Sequence, residues 1–103
     1  MNAPSVSVGD SPRVSHPLTI HMRSTNPSRG DIRAGIDLGE STFATVDLVD
    51  VRGRRVERLF RADARGTIEV ATRNAGSKLA AGVYFLSVRT ERATASARVV
   101  ILP

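Results

Sequence analysis

The sequence contains no cysteine and no tryptophan, and it has a single lysine among its 103 residues. Without cysteine, the chain forms neither a disulfide framework nor a thiolate nucleophile nor a cysteine-ligated metal site. Aromatic side chains are also scarce, with three phenylalanines and one tyrosine. A chain of this length makes one domain, so its core must be built mainly from valine, isoleucine, leucine and alanine.

Long apolar runs are missing as well. No stretch approaches the roughly 18 apolar residues of a membrane-spanning helix, and the first residues lack the apolar segment of a secretory signal peptide. We therefore expect no membrane span. Residues 1–16 combine prolines and serines with few apolar side chains. This composition predicts a flexible Pro/Ser-rich arm or linker, followed by a folded domain at residues 17–103.

The remaining chain alternates apolar and polar residues, a period of two that is typical of strands with one buried face. Turn residues separate seven such segments, at 18–23, 32–38, 43–51, 54–60, 66–72, 82–90 and 93–102. This pattern predicts an all-β domain, specifically a seven-stranded antiparallel Ig-like or fibronectin-like β-sandwich. The last two strands should form a hairpin. The predicted core contains Ile36, Val46, Leu48, Ile68, Val70, Tyr84, Leu86, Val88 and Val100.

The segment "DVRGRRV", residues 50–56, ends an apolar run with an aspartate and leaves it with three arginines. Asp50 and Gly53 stand at the first and fourth positions of a four-residue turn, where type I turns favour aspartate and glycine. The Asp50 carboxylate is expected to accept the backbone N–H two residues later. The segment therefore predicts a hairpin turn, with Arg54 opening the returning strand and able to pair with Asp50.

Four segments together resemble a known family. They are "NPSRGDI" (26–32), "VDLVDVRGRRV" (46–56), "LAAGVYFLSV" (79–88) and "SARVVIL" (96–102), and they occur in the family's order and spacing. The chain resembles the type A C-terminal sorting domain of proteins exported by the type IX secretion system. It is also similar to the Ig-like domain of the flagellar hook-capping protein. The residues that match the family motifs are Asn26, Pro27, Gly30, Asp50, Gly53, Arg54, Leu79, Gly82 and Tyr84, followed by the last strand.

The resemblance implies a function without catalysis. Domains of this family direct the export of a larger cargo protein across the outer membrane and its attachment to the cell surface. The expected partners are the outer-membrane secretion machinery or surface-attachment proteins, together with an N-terminal cargo domain of the same parent protein. The parent protein would pass through the periplasm and be secreted or held at the cell surface. Many members end in a lysine-rich tail, whereas this chain ends in "ILP", so an Ig-like accessory or assembly module is the alternative interpretation.

No residue pattern indicates an enzyme or a cofactor. His16 and His21 are the two histidines, and five residues apart on an extended chain they point to opposite faces, which argues against a shared metal ion. Asp47 and Asp50 also face apart and do not form a pair for acid–base catalysis. No serine lies in a Gly-x-Ser-x-Gly motif. We therefore predict a non-enzymatic domain with no cofactor and no metal site.

Positive charge is concentrated between residues 52 and 65, where six arginines meet two acidic residues. The first interpretation is an edge strand that charge protects against unwanted sheet pairing. Contact with anionic lipopolysaccharide or an acidic translocon surface is the second interpretation. Nucleic-acid binding is the least favoured, since the stretch lacks interleaved aromatic residues and a helix for a groove. The residues of this basic surface are Arg52, Arg54, Arg55, Arg58, Arg61 and Arg65.

Overall fold

The computed structural model describes residues 18–72 and 79–103. They form five antiparallel strands of one curled sheet and no helix. The strands are β1 (Thr19–Met22), β2 (Arg33–Asp50), β3 (Arg55–Ala71), β4 (Gly82–Arg89) and β5 (Thr94–Ile101). The predicted all-β class is therefore confirmed. The predicted arm at residues 1–16 lies outside the described residues and stays a prediction.

The long strand β2 organises the sheet. Strand β3 pairs along one edge of β2 over nearly its whole length. On the opposite edge, β1 pairs with the first half of β2, and β4 pairs with the second half. Strand β5 then pairs with β4 and continues the sheet outward. The predicted hairpin between β4 and β5 is confirmed, and it closes with a hydrogen bond of 2.8 Å from the Thr90 N–H to the Ala93 carbonyl.

The prediction of a seven-stranded Ig-like sandwich is not confirmed, because the described residues form a single five-stranded sheet in which two pairs of predicted segments are continuous. Residues 32–38 and 43–51 belong to β2, while 54–60 and 66–72 belong to β3. Gly39 lies opposite Gly66 where the two strands bend, and both have positive φ angles, 74° and 71°. The register also shifts on both sides of Gly39. Glycine and bulges let a strand bend sharply without ending, so the hairpin curls where the sequence pattern indicated a break.

One face of β2 stays buried on both sides of this bend. Ile36 before it and Leu48 after it are both fully buried, and both lie at even-numbered positions. Each register shift beside Gly39 adds one residue to β2 relative to β3, and two such residues restore the alternation, so the same face of β2 lines the inside of the curl on both sides of the bend. The sheet thus wraps around one core, whose buried apolar residues are Ile32, Ala34, Ile36, Leu38, Ala44, Val46, Leu48, Leu59, Val70, Tyr84, Leu86, Val88, Val99 and Ile101.

Seven of the nine predicted core residues are buried, and the two exceptions lie on β5 and β3. Val100 is only half-buried, whereas its neighbours Val99 and Ile101 are buried. The run from 99 to 102 is apolar at every position, so its own pattern does not indicate which face points inward. The register decides this, because Val99 lies opposite the buried Tyr84 on β4. Ile68 is also half-buried and packs against the core.

Candidate functional site

The segments that carry the family motifs meet at one end of the sheet. Asp50 at the end of β2 pairs with Tyr84 on β4, and Tyr84 pairs with Val99 on β5. Ser28 in the loop before β2 forms a parallel bridge with Ile101. We call this region the motif end, and it consists of residues 26–30, 50–54, 82–84 and 99–101. Motifs that lie far apart in the sequence therefore lie side by side at one end of the sheet.

The loop before β2 holds the outer edge of β5 through both backbone and side chain. The Asn26 side-chain amide donates to the Arg98 carbonyl at 2.9 Å, and its oxygen accepts the Val100 N–H at 3.1 Å. The Ser28 N–H donates to the Val100 carbonyl at 2.9 Å, and the Ser28 carbonyl accepts the Leu102 N–H at 2.7 Å. The Asn26 side chain thus makes the hydrogen bonds that a neighbouring strand would otherwise make to the end of β5. The peptide bond from Asn26 to Pro27 is cis.

Ser28 organises the loop at the motif end, and the sequence motifs did not single it out. Ser28 is only 3% exposed, and its hydroxyl donates a hydrogen bond to the Asp31 carbonyl at 2.6 Å. The same oxygen accepts the N–H groups of Gly30, whose φ is 126°, and of Asp31. A serine inside a turn motif is the sequence signal for this arrangement, because a serine hydroxyl readily bonds backbone groups two or three residues away.

The turn between β2 and β3 has the predicted geometry. The Gly53 N–H donates to the Asp50 carbonyl at 2.9 Å, and Gly53 has a φ of 83°. One Asp50 carboxylate oxygen accepts the backbone N–H groups of Arg52 at 2.9 Å and Arg54 at 3.0 Å. The Arg54 Nε lies 3.3 Å from the other oxygen. The aspartate therefore organises the turn by accepting backbone hydrogen bonds, with the exposed ion pair as a minor addition.

These hydrogen bonds change the acidity of Asp50. The pKa of its carboxyl lies below the usual value of 3.8, primarily because the charged form accepts the Arg54 backbone N–H. Partial desolvation acts in the opposite direction, and the Arg52 backbone N–H lowers the pKa further. A carboxyl group whose pKa falls on folding stabilises the folded state above its ordinary pKa, and this contribution is lost as pH falls through the folded value.

The segment before and within β4 anchors the motif end to the core. Tyr84 is 8% exposed, and its hydroxyl donates to the Ala80 carbonyl at 2.7 Å. Leu79 is half-buried against the core cluster. Gly82 is the first residue of β4, has a φ of 150°, and pairs with Ile101. A buried tyrosine thus joins the connection before β4 to the same end of the sheet that holds the Asn26 loop.

The six arginines of the predicted basic surface are not one cluster of unpaired charges. Arg54 pairs with Asp50, and the Arg58 Nε lies 2.9 Å from an Asp47 carboxylate oxygen. Arg61 lies over the Phe43 ring, 5.6 Å from its centroid. The other three, Arg52, Arg55 and Arg65, are exposed. Strand β3 pairs with β2 on one side and with no other described strand.

Among residues 18–72 and 79–103, no cluster of three or more histidine, aspartate or glutamate side chains could hold a metal ion. His21 is exposed on β1, and His16 lies outside the described residues. Within the same ranges, no helix is long and apolar enough to cross a membrane. The chemistry of the motif end is therefore that of backbone and amide hydrogen bonding at a sheet edge.

The turn geometry predicts that replacing Gly53 by alanine destabilises the domain by about 1 kcal/mol, because alanine disfavours a positive φ. An added Cβ would meet no atom within 4 Å, so the loss would come from the backbone conformation alone. Asparagine tolerates this conformation better, so Gly53→Asn should lose less. Thermal unfolding measures the difference, and an unchanged melting temperature in Gly53→Ala would contradict the assignment.

The lowered pKa of Asp50 predicts a pH-dependent effect of Asp50→Asn. At neutral pH the native chain should melt at a higher temperature than the variant, because the charged carboxylate accepts the turn hydrogen bonds more strongly. As pH falls below 3.8 and through the lower pKa of the folded state, the two melting temperatures should converge. A gap that stays constant over this range would show that the charge of Asp50 does not stabilise the turn.

The Asn26 side chain is expected to keep the end of β5 closed. Asn26→Ala removes both of its bonds to β5 and should destabilise the domain by about 1–2 kcal/mol. The Val100 amide proton should also exchange faster with solvent, since it loses its acceptor. The matched control is Thr25→Ala, which changes an exposed side chain of the same loop. Equal Val100 exchange in both variants would contradict the role assigned to Asn26.

The profile of the family described as "Secretion system C-terminal sorting domain" matches residues 26–102. No curated protein matches the chain. The matched range contains all four motif segments, so the resemblance noted in the sequence is confirmed. Domains of this family are non-catalytic in general, and they mark proteins that are secreted or exported to the cell surface. The chain belongs to the family of type IX secretion C-terminal sorting domains.

Proposed function

We propose that this domain directs the export of a larger cargo protein across the outer membrane and its attachment to the cell surface. The observation that carries the proposal is the convergence of the four family motifs at one end of the sheet, the motif end. A sorting signal requires a self-folding domain with a defined surface that the export machinery can bind. A continuous core and a loop that is hydrogen-bonded to β5 supply such a surface.

The partners follow from this role. The outer-membrane secretion machinery would bind the folded domain, and surface-attachment proteins would act on the cargo after export. The arginine-rich strand β3 has a different proposed role, which is to protect a long sheet edge. Contact between these arginines and anionic lipopolysaccharide is the alternative. The pairing of Arg54, Arg58 and Arg61 within the domain favours edge protection over a surface for nucleic acid.

The competing function is an accessory or assembly module of similar fold without a sorting role. Such a module would use the same surface to bind a neighbouring domain of its own assembly. The two functions differ in one measurable property, because a sorting domain is portable. It moves an unrelated cargo to the cell surface, whereas an assembly module does not.

Export of a reporter tests the proposal. The 103-residue chain is fused to the C-terminus of a fluorescent protein that carries a signal peptide, and the fusion is expressed in a bacterium with a type IX secretion system. We expect fluorescence at the cell surface or in the medium. The reporter without the domain, and a fusion truncated to remove residues 94–103, should both stay in the periplasm.

A strain that lacks the secretion system is the second control, and the intact fusion should remain periplasmic there. Fluorescence is measured in periplasmic, membrane and culture fractions. If the intact fusion stays periplasmic in the competent strain although it folds, the sorting role is refuted and the accessory-module function remains.

A further inference from the structure

The outer edge of β5 is occupied over only part of its length. At Val100, both the N–H and the carbonyl bond the loop before β2 and therefore point away from β4. In a regular antiparallel pair this orientation repeats at every second residue, and the register between β4 and β5 is unbroken. The backbone groups of Thr94, Ser96 and Arg98 therefore point outward as well.

Only one of these outward groups has a partner among the described residues. The Arg98 carbonyl accepts the Asn26 amide, and the loop reaches no farther along the strand. The N–H and carbonyl groups of Thr94 and Ser96 and the N–H of Arg98 remain available to a further strand. All three residues are exposed. We call residues 94–98 the open edge.

The open edge lacks the protection that β3 has. On β3, Val56 and Leu59 have no partner in the register with β2, and bulges of this kind disrupt further pairing. Arginine, aspartate and glutamate side chains recur along the same strand. The open edge, in contrast, begins with Thr-Ala-Ser-Ala, carries Arg98 as its single charge, and has no proline and no bulge. Unprotected strand edges pair readily with an added strand.

We infer that the open edge binds an extended segment of the export machinery, which adds to the sheet as a strand beside β5. This inference rests on the proposed sorting function and assigns the surface that the machinery contacts. Five backbone groups within residues 94–98 supply the hydrogen bonds, and the side chains on the two faces specify which segment fits. The loop at 26–28 fixes where the added strand must stop, because beyond Arg98 the edge is already occupied.

The chemistry of the added strand follows from the two faces of β5. On the outer face, Arg98 and the neighbouring Arg89 are exposed, and Arg89 lies opposite Thr94. The bound strand should therefore carry acidic side chains on this face. On the inner face, Ala95 and Ala97 are half-buried and small. The bound strand should place apolar side chains there, where they extend the core.

A second copy of the chain fits the open edge less well. Antiparallel pairing of two copies around Ser96 would bring Arg89 and Arg98 of both copies to one face. Residues 94–98 contain no acidic side chain to compensate these charges. Like charges placed across neighbouring strands destabilise their pairing. Charge complementarity thus favours an acidic partner strand over self-association.

The first test is Ser96→Pro in the exported reporter fusion. Proline removes the central outward N–H and obstructs an added strand, yet it breaks no bond to β4, and proline is tolerated at sheet edges. Ala71→Pro on β3 is the matched control. The Thr72 N–H bonds the Ile32 carbonyl, so the Ala71 N–H points away from β2 in the same way. We expect Ser96→Pro to reduce the exported fraction about tenfold or more and Ala71→Pro to leave it unchanged.

Charge reversal provides a second test that leaves the backbone intact. Arg98→Glu should reduce export because it repels an acidic strand, whereas Arg65→Glu makes the same change on exposed β3 and should not. Circular dichroism and thermal unfolding of each chain verify folding. If Ser96→Pro does not fold, the comparison of Arg98→Glu with Arg65→Glu decides.

The outcomes separate this inference from the proposed function. If the native fusion is exported and Ser96→Pro and Arg98→Glu are exported equally well, the open edge is not the contact, while the sorting function stands. Equal losses in an edge variant and its control also overturn the inference. If the native fusion is not exported, both fail. Sedimentation of the purified chain tests whether a second copy binds the open edge. A dimer that Ser96→Pro converts to a monomer would assign the edge to a second copy and overturn the inference.

Discussion

The fold depends on one buried face that β2 maintains through its bend. Ile36 and Leu48 are fully buried on the same side of this strand, although Gly39 lies between them. Because every other strand except β5 pairs directly with β2, this face determines which side of each neighbour turns inward. A one-residue slip of β2 that no second shift compensates would turn its buried side chains outward. Gly39 and Gly66, which are paired at the bend with positive φ angles, let β2 and β3 continue through it around one core.

The sequence analysis predicted the strand positions and the turn at Asp50 well, since both depend on local chemistry. Alternation identified the buried face of β2 on both sides of Gly39, and an aspartate and a glycine three residues apart specified the turn. It separated β2 and β3 each into two strands because glycine marks both breaks and bends. Whether a strand continues depends on the partner opposite it, and the pairing of Gly39 with Gly66 is not visible in either segment alone.

At the motif end, too, local sequence does not show which distant residues pair. Asn26 and Asp50 were identified from motifs, yet the partners of Asn26 on β5 lie more than 70 residues away along the chain. Ser28 was missed because its role combines a local turn with this distant edge. The arginines were predicted as a surface from their number, but Asp47 and Phe43 on the neighbouring strand engage two of them. Local signals indicate which residues matter, and long-range pairing determines what they do.

The outer edges of β3 and β5 differ in how they are protected against an added strand. Strand β3 has charges and bulges along its outer side, which oppose pairing. On β5, Asn26 and Ser28 bond the outer edge from Arg98 onward, and no described residue bonds the outward backbone groups of Thr94 and Ser96. A domain that needed only stability would protect both edges. A short polar edge that stays open beside the family motifs suits a domain that a partner must bind. The loop at residues 26–28 closes the end of β5 and thereby sets the limit of the part that stays open.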